Sequence, residues 1–167
     1  MTSSVHTRTV RRLVIDVEDF DDFRDRYEAA APAYDLAGRV GQLSNWDDVQ
    51  KDVDAVAHYG FVRYATIDGS PVFAVAGHKA RSIIYLMGNH TIAERMYRHE
   101  PAVMLYAPLR TVIHQDAAGA VWFSIDQPST RFTSFGVPAI TAVGVELDGL
   151  LAALLQTLGV PVPTVLA

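Results

Sequence analysis

Residues 83–129 read IIYLMGNHTIAERMYRHEPAVMLYAPLRTVIHQDAAGAVWFSIDQPS, and the order of elements within them decides the fold. Arg81 to Met87 is rich in branched and aromatic residues and stops at Gly88, the pattern of a strand with its breaker. Asn89 is a good helix N-cap, and the helix it opens closes at Pro101. Leu109–Asp116 and Val121–Asp126 then flank Ala118-Gly119 as the two arms of a hairpin. Strand, helix and hairpin in this order predict an antiparallel sheet with helices laid against it.

Reading outward, residues 10–17 (VRRLVIDV) predict a first strand. Asp19 caps a helix with Phe20, Phe23 and Tyr27 on one face and Pro32 as its stop. A loop with Gly38 and Gly41 leads to a second helix over residues 45–58, where Trp46, Val49, Val53 and Val56 recur at helical spacing. Phe61 to Ile67 alternates as a strand, Asp68-Gly69 signals a turn, and Val72 to Ala76 is expected to return antiparallel. After a Ser/Thr/Gly loop, Pro138 opens a last helix with the stripe Val143, Leu147, Leu150, Leu151, Leu154 and Leu158, ended by Gly159. The remaining residues are expected to be extended. The whole is a two-layer α+β domain over residues 1–167, with an antiparallel sheet of five or six strands and helices on one face.

Half the residues are hydrophobic and 20% are charged, so the chain can bury a full core. Its net charge of -5 argues against nucleic acid as the main partner, since phosphate binding needs a basic surface. It has no cysteine, which removes disulfides, thiolate metal sites and thiol nucleophiles. The start lacks the apolar core of a signal peptide, and no uninterrupted apolar run reaches the ~20 residues that span a bilayer. A cytoplasmic protein without membrane partners is the expectation. No two of the histidines have metal-ligand spacing, and no glycine-rich phosphate loop occurs, so neither a metal nor a nucleotide cofactor is expected.

The stretch from Ile83 to Ser129, with its IIYLMGNH and YAPLRTVIHQD runs, resembles the family catalogued as domain of unknown function 302. The resemblance implies a small α/β fold akin to the TATA-binding-protein-like group, often dimeric, over residues 45–160. Residues 1–44 then look like the strand–helix extension of longer members, and residues 161–167 like a tail. It implies no reaction. This chain departs from the family pattern in two places. Relatives read Gly-Asn-Pro where it has Gly88-Asn89-His90, and they tend toward Tyr-Glu-Asp where it has His114-Gln115-Asp116. A helix N-terminus favours a neutral imidazole at His90. A tight hairpin puts His114 opposite Phe123 among apolar groups, while a shift of one residue puts it beside Trp122.

These departures carry the functional expectation. His90 and His114 are candidate acid–base residues of a shared cleft, with Tyr85, Tyr106, Arg110, Trp122 and Phe123 as candidate substrate contacts. Arg110 can bind a carboxylate or pair with Asp16 or Asp126. Gly144 and Gly149, inside the last helix, permit close approach of another backbone or a ligand. Two readings follow. One is a cofactor-independent isomerase, cyclase or dehydratase acting on a small, largely apolar organic molecule. The other is a non-catalytic homodimeric binding protein, its interface formed by a sheet edge or by the leucine-rich last helix.

Overall fold

The computed structural model describes residues 3–166. Five strands form one antiparallel sheet in the order β1-β5-β4-β3-β2: β1 Arg12–Val17, β2 Val62–Asp68, β3 Ser82–Gly88, β4 Leu109–Gln115 and β5 Val121–Asp126. The helices are α1 Phe20–Ala30, α2 Leu36–Val40, α3 Trp46–Asp54, α4 Ser70–Val75, α5 His90–Tyr97, α6 Pro128–Phe132 and α7 Pro138–Thr157. This is the α+β architecture expected of the sequence.

Alternation sorts the strands into two faces. Leu13, Ile15 and Val17 of β1, Val121, Phe123 and Ile125 of β5, Leu109 and Ile113 of β4, and Ile83, Tyr85 and Met87 of β3 enter one buried cluster. Helices α1 and α7 cover that face: Phe20, Phe23 and Tyr27 from one, Ile140, Val143, Leu147, Leu151 and Leu154 from the other. Each large side chain so buried contributes ~1.5–3 kcal/mol. Thr111 is polar on this face, and its hydroxyl is satisfied by that of Tyr27 at 2.8 Å. Helix α1 is set by its cap, where Asp19 accepts from the Asp22 amide at 2.8 Å. Since β1 pairs along its whole length with β5, the N-terminal strand and helix are part of this sheet and core.

Helix α7 is long and apolar enough to cross a membrane by length and composition. Its apolar stripe is instead occupied by the sheet, so it is built as a core helix. The broad leucine face is therefore used within the chain: Leu151, Leu154, Leu155 and Leu158 are all buried there.

Several expectations need correction. Residues 72–76 do not return as a strand; Val72–Val75 lie in α4 and Ala76 caps it, because Ser70-Pro71 after Gly69 supplies a proline at the start of a helix. Strand β2 pairs with β3 instead. The expected helix over 45–58 ends at Asp54, and the presumed loops contain α2 and α6. The C-terminal tail includes a 3-10 turn, Thr164–Leu166, that buries Leu166. In the hairpin, Gln115 rather than Asp116 pairs with Val121, so His114 lies opposite Trp122 and not Phe123. Asp116 has left the ladder to cap the turn, accepting from the amides of Ala118 and Ala120 at 2.8 and 3.0 Å. Arg110, Val112 and His114 thus share the sheet face away from α1 and α7.

Candidate functional site

Strand β3 ends at Gly88, and Asn89 caps α5. The Asn89 carboxamide oxygen accepts from the Thr91 amide at 3.0 Å and the Thr91 hydroxyl at 2.7 Å, while its nitrogen donates to the Gly60 carbonyl at 3.3 Å. This fixes His90 as the first residue of α5. Beside it, β2 carries a bulge: Arg63 pairs with Met87 and Ala65 with Leu86, leaving Tyr64 as the extra residue. A bulge takes a side chain out of the pleat and re-aims it. Here the Tyr64 hydroxyl lies 2.9 Å from Nδ1 of His90.

A third ring completes the cluster. Tyr34 sits 5.2 Å from the imidazole centroid and edge-on to Tyr64 at 6.1 Å. Its hydroxyl donates to Asp52 at 2.6 Å, and Asp52 also accepts from Arg39 at 2.6 Å, with the Arg39 guanidinium over the Tyr34 ring. Burial and the hydrogen bond to Asp52 push the Tyr34 phenol up to about 12. The bond from Tyr34, reinforced by the Arg39 charge, holds the Asp52 carboxyl below its ordinary range. Burial raises the Tyr64 phenol. Burial lowers His90 against a smaller opposing pull from the Asp52 charge, so its imidazole is neutral near pH 7.

His90 and Tyr64 line a cleft of about 210 Å³ whose other walls are almost wholly apolar, among them Leu36, Ile92, Met96, Leu109 and Phe132. Beside it, Nε2 of His90 is buried and no protein group satisfies it. With Nδ1 tied to a hydroxyl that can donate or accept, the ring presents Nε2 either as a donor or as a base. Among the described residues no group of three metal-ligating side chains occurs.

The structure does not bring His114 to this cleft. It pairs with Ser82, at the far end of β3 from Gly88, about 20 Å away at ~3.3 Å per residue. Its Nδ1 is buried without a protein partner, but it neighbours Trp122, not His90. Tyr85 is fully buried in the core, donating to Glu28 at 2.9 Å, and Phe123 is equally buried against Phe23 and Tyr27. Neither lines the His90 cleft. Trp122 lies on the opposite sheet face and donates to Asp116 at 3.0 Å. Tyr106 borders a second cavity, packed edge-on against Phe132 and Phe135. Arg110 lines that same second cavity; Asp126, one of its expected partners, pairs with Arg131 instead. The residues that sequence reasoning missed are Tyr64, Tyr34 and Asp52. The bulge that aims Tyr64 leaves no mark in the alternation of β2, and the Tyr34–Asp52 pair is formed only by tertiary packing.

Residues 42–158 match the family model described as Domain of unknown function DUF302. No curated protein matches the chain. Among solved structures it is similar to the crystal structure of an uncharacterized conserved protein DUF302 from Bacillus stearothermophilus. The two share 15% identity over 87% of this chain and 96% of that one, with a TM-score of 0.63. At that identity the likeness shows the fold. The family model spans well over half of the sequence, and the chain belongs to the DUF302 family.

Proposed function

We propose that this protein binds a small, largely apolar organic molecule in the cleft between β3, α5 and α7, and that His90 makes the principal polar contact. The observation that carries this reading is an apolar cleft lined by a histidine whose Nδ1 is held by Tyr64 and whose buried Nε2 has no protein partner. A buried polar atom without a partner costs roughly 1–3 kcal/mol, which a ligand hydrogen bond recovers. Few polar groups in an apolar concavity are the ordinary make-up of a small-molecule site. The cleft exceeds the ~150 Å³ of an apolar cavity that admits benzene, so a ligand built on one six-membered ring fits its size.

The same pair suits acid–base chemistry. A neutral imidazole hydrogen-bonded to a phenol can take a proton at Nε2 while Tyr64 accepts from Nδ1, and return it at a neighbouring atom. Isomerisation, cyclisation or dehydration needs no more than that. The acid–base partner of His90 in this reading is Tyr64; His114 has no part in it.

Binding is tested with cyclohexanecarboxamide, a neutral ring bearing one hydrogen-bonding group, titrated against the native protein and His90→Phe by NMR. Saturable shifts should centre on Asn89, Ile92, Ala93 and Met96, and the phenylalanine variant should bind roughly tenfold more weakly, the worth of one hydrogen bond. Shifts that do not saturate, or equal affinity in both proteins, would refute the assignment.

A further inference from the structure

The two edges of the sheet are finished differently. At the β2 edge Ala33 bridges Arg63, the Tyr34 amide donating to the Arg63 carbonyl and the Arg63 amide to the Pro32 carbonyl, both at 2.8 Å. The bulge at Tyr64 interrupts that strand just beyond. At the other edge β1, with the sequence RLVIDV, pairs with β5 alone, and its outer side has no backbone partner among the described residues. Free N–H and C=O groups on an open edge are a template for another strand, and proline, bulges or charge commonly block it. Strand β1 has neither proline nor bulge, and its two charges, Arg12 and Asp16, are of opposite sign.

The Gln127 amide donates to the Arg11 carbonyl at 2.7 Å, and bonded pairs recur at every second residue of an antiparallel ladder. Leu13, Ile15 and Val17 therefore bond to β5, while the N–H and C=O groups of Arg12, Val14 and Asp16 point outward. The side chains of these three are exposed, on the sheet face away from α1 and α7. Arginine, valine and aspartate in that order are complementary to their own reverse. We propose that β1 docks antiparallel on β1 of a second copy of this chain, about a twofold axis at Val14, so that one sheet runs through both subunits. In that register Val14 meets Val14, and Arg12 of each copy faces Asp16 of the other, so the interface is isologous. Every outward group of the strand is used, each facing pair exchanging both of its N–H···O bonds. Leu13 falls opposite Ile15 on the helix-covered face, so apolar side chains meet there as cross-strand neighbours. A slip of one residue sets outward groups against groups already bonded to β5. A slip of two leaves an outward residue of each strand facing a point beyond the strand's end. The assignment does not depend on the His90 cleft, since His90 stands beside β2 at the opposite edge.

Sedimentation velocity of the full chain over a concentration series, with amide hydrogen exchange followed by NMR on the same samples, tests this. The native protein should show a monomer–dimer equilibrium, with the Arg12, Val14 and Asp16 amides protected only where the dimer is populated. Proline is tolerated in an edge strand whose N–H faces outward, so Val14→Pro should leave the dilute monomer folded. It removes both hydrogen bonds across the axis and should weaken the dimer at least roughly tenfold. Asp16→Arg sets like charges opposite one another at both ends and should also weaken it, and adding Arg12→Asp to that variant should restore near-native association. A native protein that stays monomeric throughout overturns the proposal, as do β1 amides already protected in the monomer. A dimer unmoved by Val14→Pro, or one that the charge-exchanged variant fails to recover, places the interface elsewhere and overturns it too. The charge variants decide alone if the proline variant unfolds. Ligand binding beside His90 is expected to be the same in every variant that folds.

Discussion

Replacing Gly144 and Gly149 singly by alanine should move stability in opposite directions, although both lie inside α7. Each substitution gains ~1 kcal/mol from helix propensity, part of it through a less flexible unfolded chain. At Gly149 nothing lies within 4 Å of the new Cβ and the position is exposed, so the gain is kept. At Gly144 the added carbon would sit 3.0 Å from Cβ of Phe132 and 3.2 Å from the Ser129 Cα. The second contact is with backbone and cannot be relieved by a rotamer change. Helix α6 must then move away from α7, at the ~1–3 kcal/mol typical of overpacking. The net expectation is a gain of about 1 kcal/mol at Gly149 and a loss of up to ~2 kcal/mol at Gly144. For a chain of this size each kcal/mol shifts the melting temperature by ~2–4 °C. Because Phe132 also lines the His90 cleft, Gly144→Ala should weaken ligand binding, whereas Gly149→Ala should not. Thermal unfolding followed by circular dichroism, with ligand titration on the same samples, reads both effects. A Gly144→Ala protein as stable as Gly149→Ala would refute the reasoning, since only the packing of α6 on α7 separates them.

Two further outcomes are expected. Burial holds the folded-state pKa of His90 below that of the unfolded chain, so the stability it contributes is complete above ~6.5 and is lost as the pH falls. Urea midpoints between pH 7 and pH 5 should therefore decline more steeply for the native protein than for His90→Phe, and parallel profiles would contradict the assigned environment. Asp148 is buried and accepts from Gln127 at 2.5 Å and from the Ser129 amide and hydroxyl at 2.9 and 2.6 Å. Asp148→Ala strands these donors and should cost about 3 kcal/mol in urea unfolding; a loss under 1 kcal/mol would show that water replaces the carboxylate.

How far the sequence reveals this molecule depends on the range of the interaction that decides each feature. The cap of α1 at Asp19, the strand-to-helix passage through Gly88 and Asn89, and the proline that opens α7 are local signals, and each marks its element. The face of β4 is a different matter. It turns on whether Asp116 belongs to the strand or to the turn, and that choice rests on its side chain accepting two turn amides. One residue of register moves His114 from the core to the other face. Helix α4 was obscured for a related reason: VFAVAG suits a strand, but Pro71 starts a helix and β3 offers β2 a longer, better-matched partner. His90 was legible, because it lies in a recognisable local context directly after the Asn89 cap. Tyr64 was not, since a bulge is a compromise between two strands.

The strongest reason to place function at His90 is that several small local costs coincide there and nowhere else in β3 or α5. A histidine occupies the first helical position, where proline is better suited. The β2 ladder gives up a pairing so that Tyr64 can turn toward it. A buried ring nitrogen beside an apolar cleft remains unsatisfied. Sequences that specify one fold agree with themselves at every level, and clustered exceptions mark sites kept for another purpose. His114 also has an unsatisfied nitrogen, but its strand pairs regularly on both sides, so the coincidence is missing. The second layer around His90 adds to the case: Tyr34, Leu36 and Arg39 precede the family-matched residues 42–158. The ring that packs on the imidazole, the cation that steadies it and one wall of the cleft thus come from a segment outside the matched range. Specificity that differs from other members would reside in that segment, and exchanging residues 34–39 should change which ligands bind while leaving the sheet unaltered.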